Sequence, residues 1–390
     1  MDQKMIHLQV LMHYYMGVLP AAFEGGRLGK GTSIHDVNGE ELYARFPVVH
    51  GKESFGWVDV ASHPVFGAPV LGGAAGAEWN PDALIAAAGR AARKTGLRKW
   101  SSTRFVAYSF PKLAVQFLGA EHEELLMLEL HTWAHVPERR QREADEPPGN
   151  FERWSLIEET PPKTRRTNER AFKAAIERVE KALGRLLPKA GAIPLDRDRI
   201  VTALGNVFPL IRIVSDSREL HFSTRNADHD PCFELRGQET NVWCVGASVQ
   251  MVLDFYRYQY TQTRIAVQLG LGTPSNPNGL PYTRDGDVVT ALQAMSSNAL
   301  TAAMNTTPTF DQYRNEILAN RPLISFIPGH SRAVAGYTRT RLLVGPLAII
   351  TYRGLLVYDP WPPNAGVITR WENFDTSTYR RTFSAHVTTI

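Results

Sequence analysis

The chain has 390 residues, more than one hydrophobic core ordinarily serves, so its length predicts two domains. With 43% apolar and 21% charged residues, its composition is that of an ordinary globular protein and excludes a disordered one. A formal net charge of +4 is spread along the chain, which leaves no footprint for nucleic acid, and only two cysteines, Cys232 and Cys244, exclude a disulfide framework and a four-cysteine zinc site.

The first residues, MDQKMIHLQVLMHYYMGVLPAAF, place a lysine before a mostly apolar run. His7, Gln9, His13, Tyr14 and Tyr15 interrupt it and no small-residue cleavage site follows, so a buried strand or short helix is expected rather than a secretory signal. No later stretch has the length of an uncharged membrane span. The expected setting is the cytosol, with no membrane partner.

Residues 25–32, GGRLGKGT, are glycine-rich but lack phosphate-loop spacing, because Gly31 and not Ser or Thr follows Lys30. A mobile loop is expected there. Residues 66–77, FGAPVLGGAAGA, read as a second Gly/Ala-rich loop. Asn80-Pro81 then starts a helix, which stops near Gly96. Strands are expected at 105–110, 113–118 and 125–133. His122, His131 and His135 lie close in sequence, but their setting reads as strand and contains no HExxH, so structural roles are expected and no metal.

From 137 to 170 the chain is charged and proline-rich, and Arg139, Arg140 and Arg142 alternate with acids; an exposed linker is expected. Phe172, Ile176, Val179, Leu183 and Leu186 recur at helical spacing until Pro188 closes the run. A hairpin is expected over 209–222, turning at SDSR. The last lysine is Lys189, and every later basic side chain is arginine, which marks a boundary between 190 and 230.

The segment carrying chemistry runs from Gly237 to Leu253. After Cys244, the residues Ala247, Met251, Val252 and Phe255 recur at helical spacing, which places the cysteine at a helix N-terminus. There the helix dipole and free N–H groups favour thiolate over thiol. Gln238, six residues earlier, offers a side-chain amide to a developing oxyanion. A cysteine alone in this position is more often a small buried hydrophobe. Cys232, twelve residues before Cys244, is expected to be an inert buried thiol.

The Gln-x5-Cys pattern, with Trp243 before the cysteine and a small-residue apolar helix ending in tyrosines, resembles the papain-like cysteine peptidases. The nearest likeness is the bacterial subgroup of bacteriocin-leader peptidases and plant-pathogen effector proteases. That resemblance spans about 237–390. It implies a histidine opening a downstream strand and an acid beyond it. His330, after an apolar run and Pro328-Gly329, meets the first requirement, and Asp359, ending the apolar run 355–358, meets the second. By the same resemblance Trp361 shields the His–Asp contact. Val245 departs from the aromatic residue usual after the cysteine and alters the cleft wall.

The expected fold is therefore α+β. Residues 191–390 form a papain-like domain, a helix lobe plus an antiparallel sheet. Residues 1–190 form a mixed α/β region of unknown fold that regulates, covers as a propeptide, or recruits partners. The expected function is hydrolysis of protein or peptide substrates by a Cys244–His330–Asp359 triad with Gln238 in the oxyanion hole, without cofactor or metal. Two alternatives stay open: a thioester-forming transferase or isopeptidase on the same triad, and an inactive papain-like binding module.

Overall fold

The structure is a computed structural model. It describes residues 1–51, 53–76, 79–138, 153–184, 194–198, 200, 202, 211–220, 233–344, 347–376 and 379–388. Cys232, the arginines at 139, 140 and 142, and Leu186 to Lys189 lie outside the described residues.

In chain order the elements are α1 (Gln3–Tyr15), β1 (Arg27–Leu28), β2 (Thr32–Asp36), β3 (Glu41–His50), β4 (Glu53–Ala61), β5 (Val70–Ala75), α2 (Pro81–Lys94), β6 (Ser102–Ser109), β7 (Lys112–Leu118) and β8 (Glu124–Glu129). Then come α3 (Leu156–Glu159), α4 (Pro162–Leu183) and β9 (Ile211–Glu219). The C-terminal part begins with α5 (Cys244–Phe255), α6 (Gln262–Leu269) and a small hairpin of β10 (Gly272–Thr273) and β11 (Asn276–Pro277). It continues with α7 (Asp287–Met295), β12 (Leu300–Asn305), α8 (Phe310–Leu318), β13 (Leu323–Ile327), β14 (His330–Val344), β15 (Leu347–Asp359), β16 (Val367–Asn373) and β17 (Arg381–Val387).

The expected α+β class holds. Among the described residues, one 15-stranded sheet runs β12-β17-β13-β14-β15-β16-β5-β4-β3-β2-β6-β7-β8, with β1 on β3 and β9 on β14. Every pairing is antiparallel except β2 with β6. The helices α5, α6 and α7 bury Val249, Val252, Ile265, Leu269, Val288 and Leu292 against Ile324, Phe326, Phe383 and Ala385 of the sheet. This is the expected helix lobe on an antiparallel sheet.

The N-terminal run is α1, capped by Asp2, whose Oδ1 accepts from Met5 N at 2.8 Å. Because nearly every face of it is apolar, it sits inside the molecule rather than on its surface. Asn80 caps α2 as the sequence signals, accepting from Ala83 N at 3.1 Å.

Three expectations change. The Gly/Ala-rich segment is not a loop throughout: Val70–Ala75 is the strand β5, lying between β4 and β16. Its glycines suit a crowded place, since a Cβ on Gly73 would stand 3.1 Å from Trp57 O and 3.2 Å from Leu19 Cδ2. The 209–222 hairpin does not form, because Ile211–Glu219 is one continuous strand paired with β14 from Gly336↔Glu219 to Val344↔Ile211. A partner ladder of nine residue pairs outweighs the turn preference of SDSR. The second half of the charged segment is helical too, because Pro161-Pro162 starts α4, well before Phe172.

Strand β5 is where the two parts of the chain join, through Trp371↔Gly73 and Glu372↔Gly72. One apolar cluster also crosses the join, with Leu8, Leu11 and Met12 of α1 beside Val179 and Leu183 of α4 and Leu342, Ile350 and Trp371. Each such side chain contributes about 1.5–3 kcal/mol on burial. A chain cut between 138 and 153 should therefore keep its two pieces together on gel filtration without denaturant. Separation of the 1–138 piece would show that the join is weak.

Candidate active site

Cys244 is the first residue of α5, as its periodicity predicts. Its thiol is buried, and burial pushes the thiol up. The hydrogen bond and charge of His330, the ammonium of Lys112 and a backbone interaction from Ser331 outweigh that, so it titrates below an ordinary thiol.

His330 opens β14 after a two-residue turn, with Ile327 and His330 paired across Pro328-Gly329. Proline followed by a glycine at φ +69° supplies what a type II turn requires. The imidazole is wholly buried, which lowers its proton affinity, but Asp359 and Cys244 raise it further than burial lowers it. Its Nε2 meets Asp359 Oδ1 at 2.6 Å. The other ring nitrogen, Nδ1, is buried without an aligned partner. The thiol and imidazole thus shift each other without a well-aligned bond, a common state of such a pair before substrate arrives.

Asp359 ends β15, and its Oδ1 also accepts from Trp361 N at 2.8 Å. Burial raises this carboxyl, but His330, Arg332 and the Trp361 N–H bring it below the usual carboxylate range. Trp361 is buried and so suits the shielding expected of it. Arg332, two residues beyond His330, is buried as well and forms two bonds to Glu372, one of them at 3.0 Å.

Gln238 is fully buried beside the Asp359 turn, donating its N–H to Pro360 O at 2.9 Å and accepting from Asn364 N at 2.8 Å. Its Nε2 donates to Thr240 O at 2.6 Å. One hydrogen of the amide is thereby used, and the second remains to donate elsewhere. Gly237 admits no side chain, because a Cβ there would lie 2.4 Å from Ala365 N.

Sequence reasoning missed the contribution of the N-terminal part. Lys112 Nζ donates to Asn241 O at 3.4 Å and stands 4.9 Å from the Trp361 ring centroid. His131 meets the same indole edge-on, with centroids 6.2 Å apart. Trp154 covers the Pro-Gly turn and donates to Ser109 Oγ at 2.6 Å. Across the cleft, Tyr282 accepts from Gly329 N through its hydroxyl. The one available signal was a lysine heading KLAVQFL, a strand buried at every position.

Among the described residues, no three of His, Cys, Asp and Glu gather to hold a metal, and no helix is long and apolar enough to cross a membrane. His131 and His135 lie at the end of β8, where His135 bridges Leu128.

Gly329→Ala tests the turn. A left-handed φ and a Cβ 2.6 Å from Trp154 Nε1 should together cost about 1–3 kcal/mol, read by urea unfolding. Alkylation of Cys244 should slow with it, because the turn sets where His330 stands. Unchanged stability would mean the turn relaxes freely.

A helix-borne cysteine and a strand-borne histidine on an α+β fold are the arrangement that the resemblance to papain-like cysteine peptidases implies for the C-terminal part. Residues 232–386 match the model of the Peptidase_C39 like family, which is under half of the chain. No curated protein matches it. Among solved structures, it is similar to a double glycine motif protease from an AMS/PCAT transporter in complex with its leader peptide, at 19% identity and TM-score 0.26, over 40% of this chain and 91% of that one. It is also similar to UfSP from C. elegans, at 11% identity and TM-score 0.27, over 45% of this chain and 38% of that one.

Proposed function

We propose that Cys244, His330 and Asp359 are the catalytic triad of this peptidase and that Gln238 donates to the oxyanion. The observation that carries the reading is the buried His330 held at 2.6 Å by Asp359 beside a helix-opening cysteine of depressed pKa. The Cys244 thiolate attacks the peptide carbonyl, and the C–S bond forms as the carbonyl π electrons move to oxygen. The imidazolium of His330 protonates the amine as the C–N bond breaks. Water, deprotonated by His330, then attacks the thioester and releases the acid and the thiol. Asp359 holds the ring tautomer in which Nε2 carries hydrogen and Nδ1 faces sulfur.

The pH dependence follows from the two shifts. Activity should appear as Cys244 ionises, below the ordinary thiol range, and disappear as His330 loses its proton, above the ordinary imidazole range. A bell-shaped kcat/KM profile for peptide hydrolysis, abolished in Cys244→Ser, is the expected result. Hydrolysis that persists in Cys244→Ser would refute the assignment. A transferase on the same triad would instead yield an amide product when an amine is added.

Residues 1–190 we take as a regulatory or partner-binding part and residues 191–390 as the peptidase part. The contacts of Lys112, His131 and Trp154 with the cleft support a controlling role. The scarcity of cysteine suits a cytosolic enzyme or delivered effector.

A further inference from the structure

The β6–β7 hairpin, turning at Phe110-Pro111, brings a lysine from the N-terminal part to the loop that leads into α5. Lys112 is 8% exposed, and a buried ammonium must be held by partners. Asn241 O at 3.4 Å, three residues before Cys244, and the Trp361 ring at 4.9 Å both fix its place. We infer that Lys112 is a positioning residue of the Cys244 site, a fixed positive charge from the N-terminal part that favours the reactive thiolate over the thiol. The inference rests on Cys244 being the nucleophile.

The charge works alongside the imidazolium but does not replace it. His330 must give up its proton during the reaction, whereas Lys112 takes no part in the proton transfer. A thiolate facing two positive groups is favoured by both, and burial strengthens each because water screens neither. Among the described residues, Asp359 behind His330 and Tyr282 are the other titratable groups tied to this site; burial foremost raises the Tyr282 phenol, and the Cys244 charge adds to it. His131 lies beyond the Trp361 ring, with Glu129 Oε2 accepting from its N–H. Lys112 is thus the cation that the N-terminal part adds to the sulfur.

The test uses the full chain in a Cys232→Ser background, so that only Cys244 reports, and measures its alkylation by iodoacetamide against pH. Lys112→Met should slow alkylation about tenfold at mildly acidic pH, where little thiolate forms, and leave the rate unchanged in the alkaline plateau, where all of it is thiolate. Raising the salt should slow the parent enzyme less than it would for an exposed charge. Lys112→Gln carries the same test if the methionine variant does not fold. An equal rate at every pH would overturn the inference, as would one reduced by the same factor throughout, since the lysine would then act only on packing or access. His330→Ala is measured in parallel. If it raises the pH of half-reaction while Lys112→Met does not, the triad stands and the lysine's part fails. If the parent protein behaves as an ordinary thiol and neither variant changes it, the nucleophile assignment fails and takes the inference with it.

Discussion

Replacing His330 with alanine is expected to slow alkylation of Cys244 at mildly acidic pH by about a hundredfold and peptide hydrolysis by about three to four orders of magnitude. The two numbers differ because they read different parts of one residue's work. Alkylation needs only the thiolate, and the imidazolium beside the sulfur is the foremost of the groups that favour it against burial. Hydrolysis needs in addition a proton delivered to the leaving amine and removed from water, and nothing else in the described site stands ready to do so. The alkaline plateau of alkylation should stay within a few-fold of the parent's. Loss there as well would mean that the variant is misfolded or its cleft blocked. Equal loss of both readouts would mean His330 supplies charge alone.

Asp359→Asn should be milder. An amide can still accept from Nε2 and from the Trp361 N–H, so the ring keeps its tautomer, but the charge that raises His330 is gone. The falling limb of the pH profile should then move toward acid, narrowing the bell. An unaltered profile would leave Asp359 a packing residue.

Much of the site was legible because its signals are local. The helix after Cys244 shows in the spacing of Ala247, Met251 and Val252. Pro328-Gly329 announces the turn that delivers His330, and the apolar run before Asp359 marks a strand end. What could not be read depends on partners distant in sequence. Lys112 meets Asn241 across 129 positions, and no spacing rule links them. SDSR and VLGGAA have weak strand preferences of their own and became strands because β14, in one case, and β4 and β16, in the other, lie beside them. The same distance effect hid the join of the two halves, which rests on pairing between residues about 300 positions apart, as does the bond from Asn373 Nδ2 to Val70 O.

That join passes through an ion pair whose two members are unequally buried, and the inequality makes a sharp prediction. The Arg332 side chain is 1% exposed and that of Glu372 is 18% exposed. Glu372 also accepts from the Tyr379 hydroxyl at 2.7 Å, so it retains a partner and some water if the arginine is lost. Arg332 would keep only the charge of Asp359 and the face of the Tyr379 ring, its centroid 5.9 Å from the guanidinium carbon, in place of its two hydrogen bonds to Glu372. Glu372→Ala should therefore destabilise the chain by about 3–5 kcal/mol in urea unfolding, because it strands a buried guanidinium, while Arg332→Met should cost clearly less. The double variant Arg332→Met, Glu372→Ala should recover much of the loss, giving a coupling energy well above that of a surface pair. The reactivity of Cys244 separates stability from chemistry. Arg332 helps keep Asp359 ionised, but the imidazolium is the stronger influence, so the double variant should alkylate with nearly the parent's pH profile. Additive losses in stability would mean that the pair contributes nothing as a pair, and that the buried arginine is satisfied by its other neighbours.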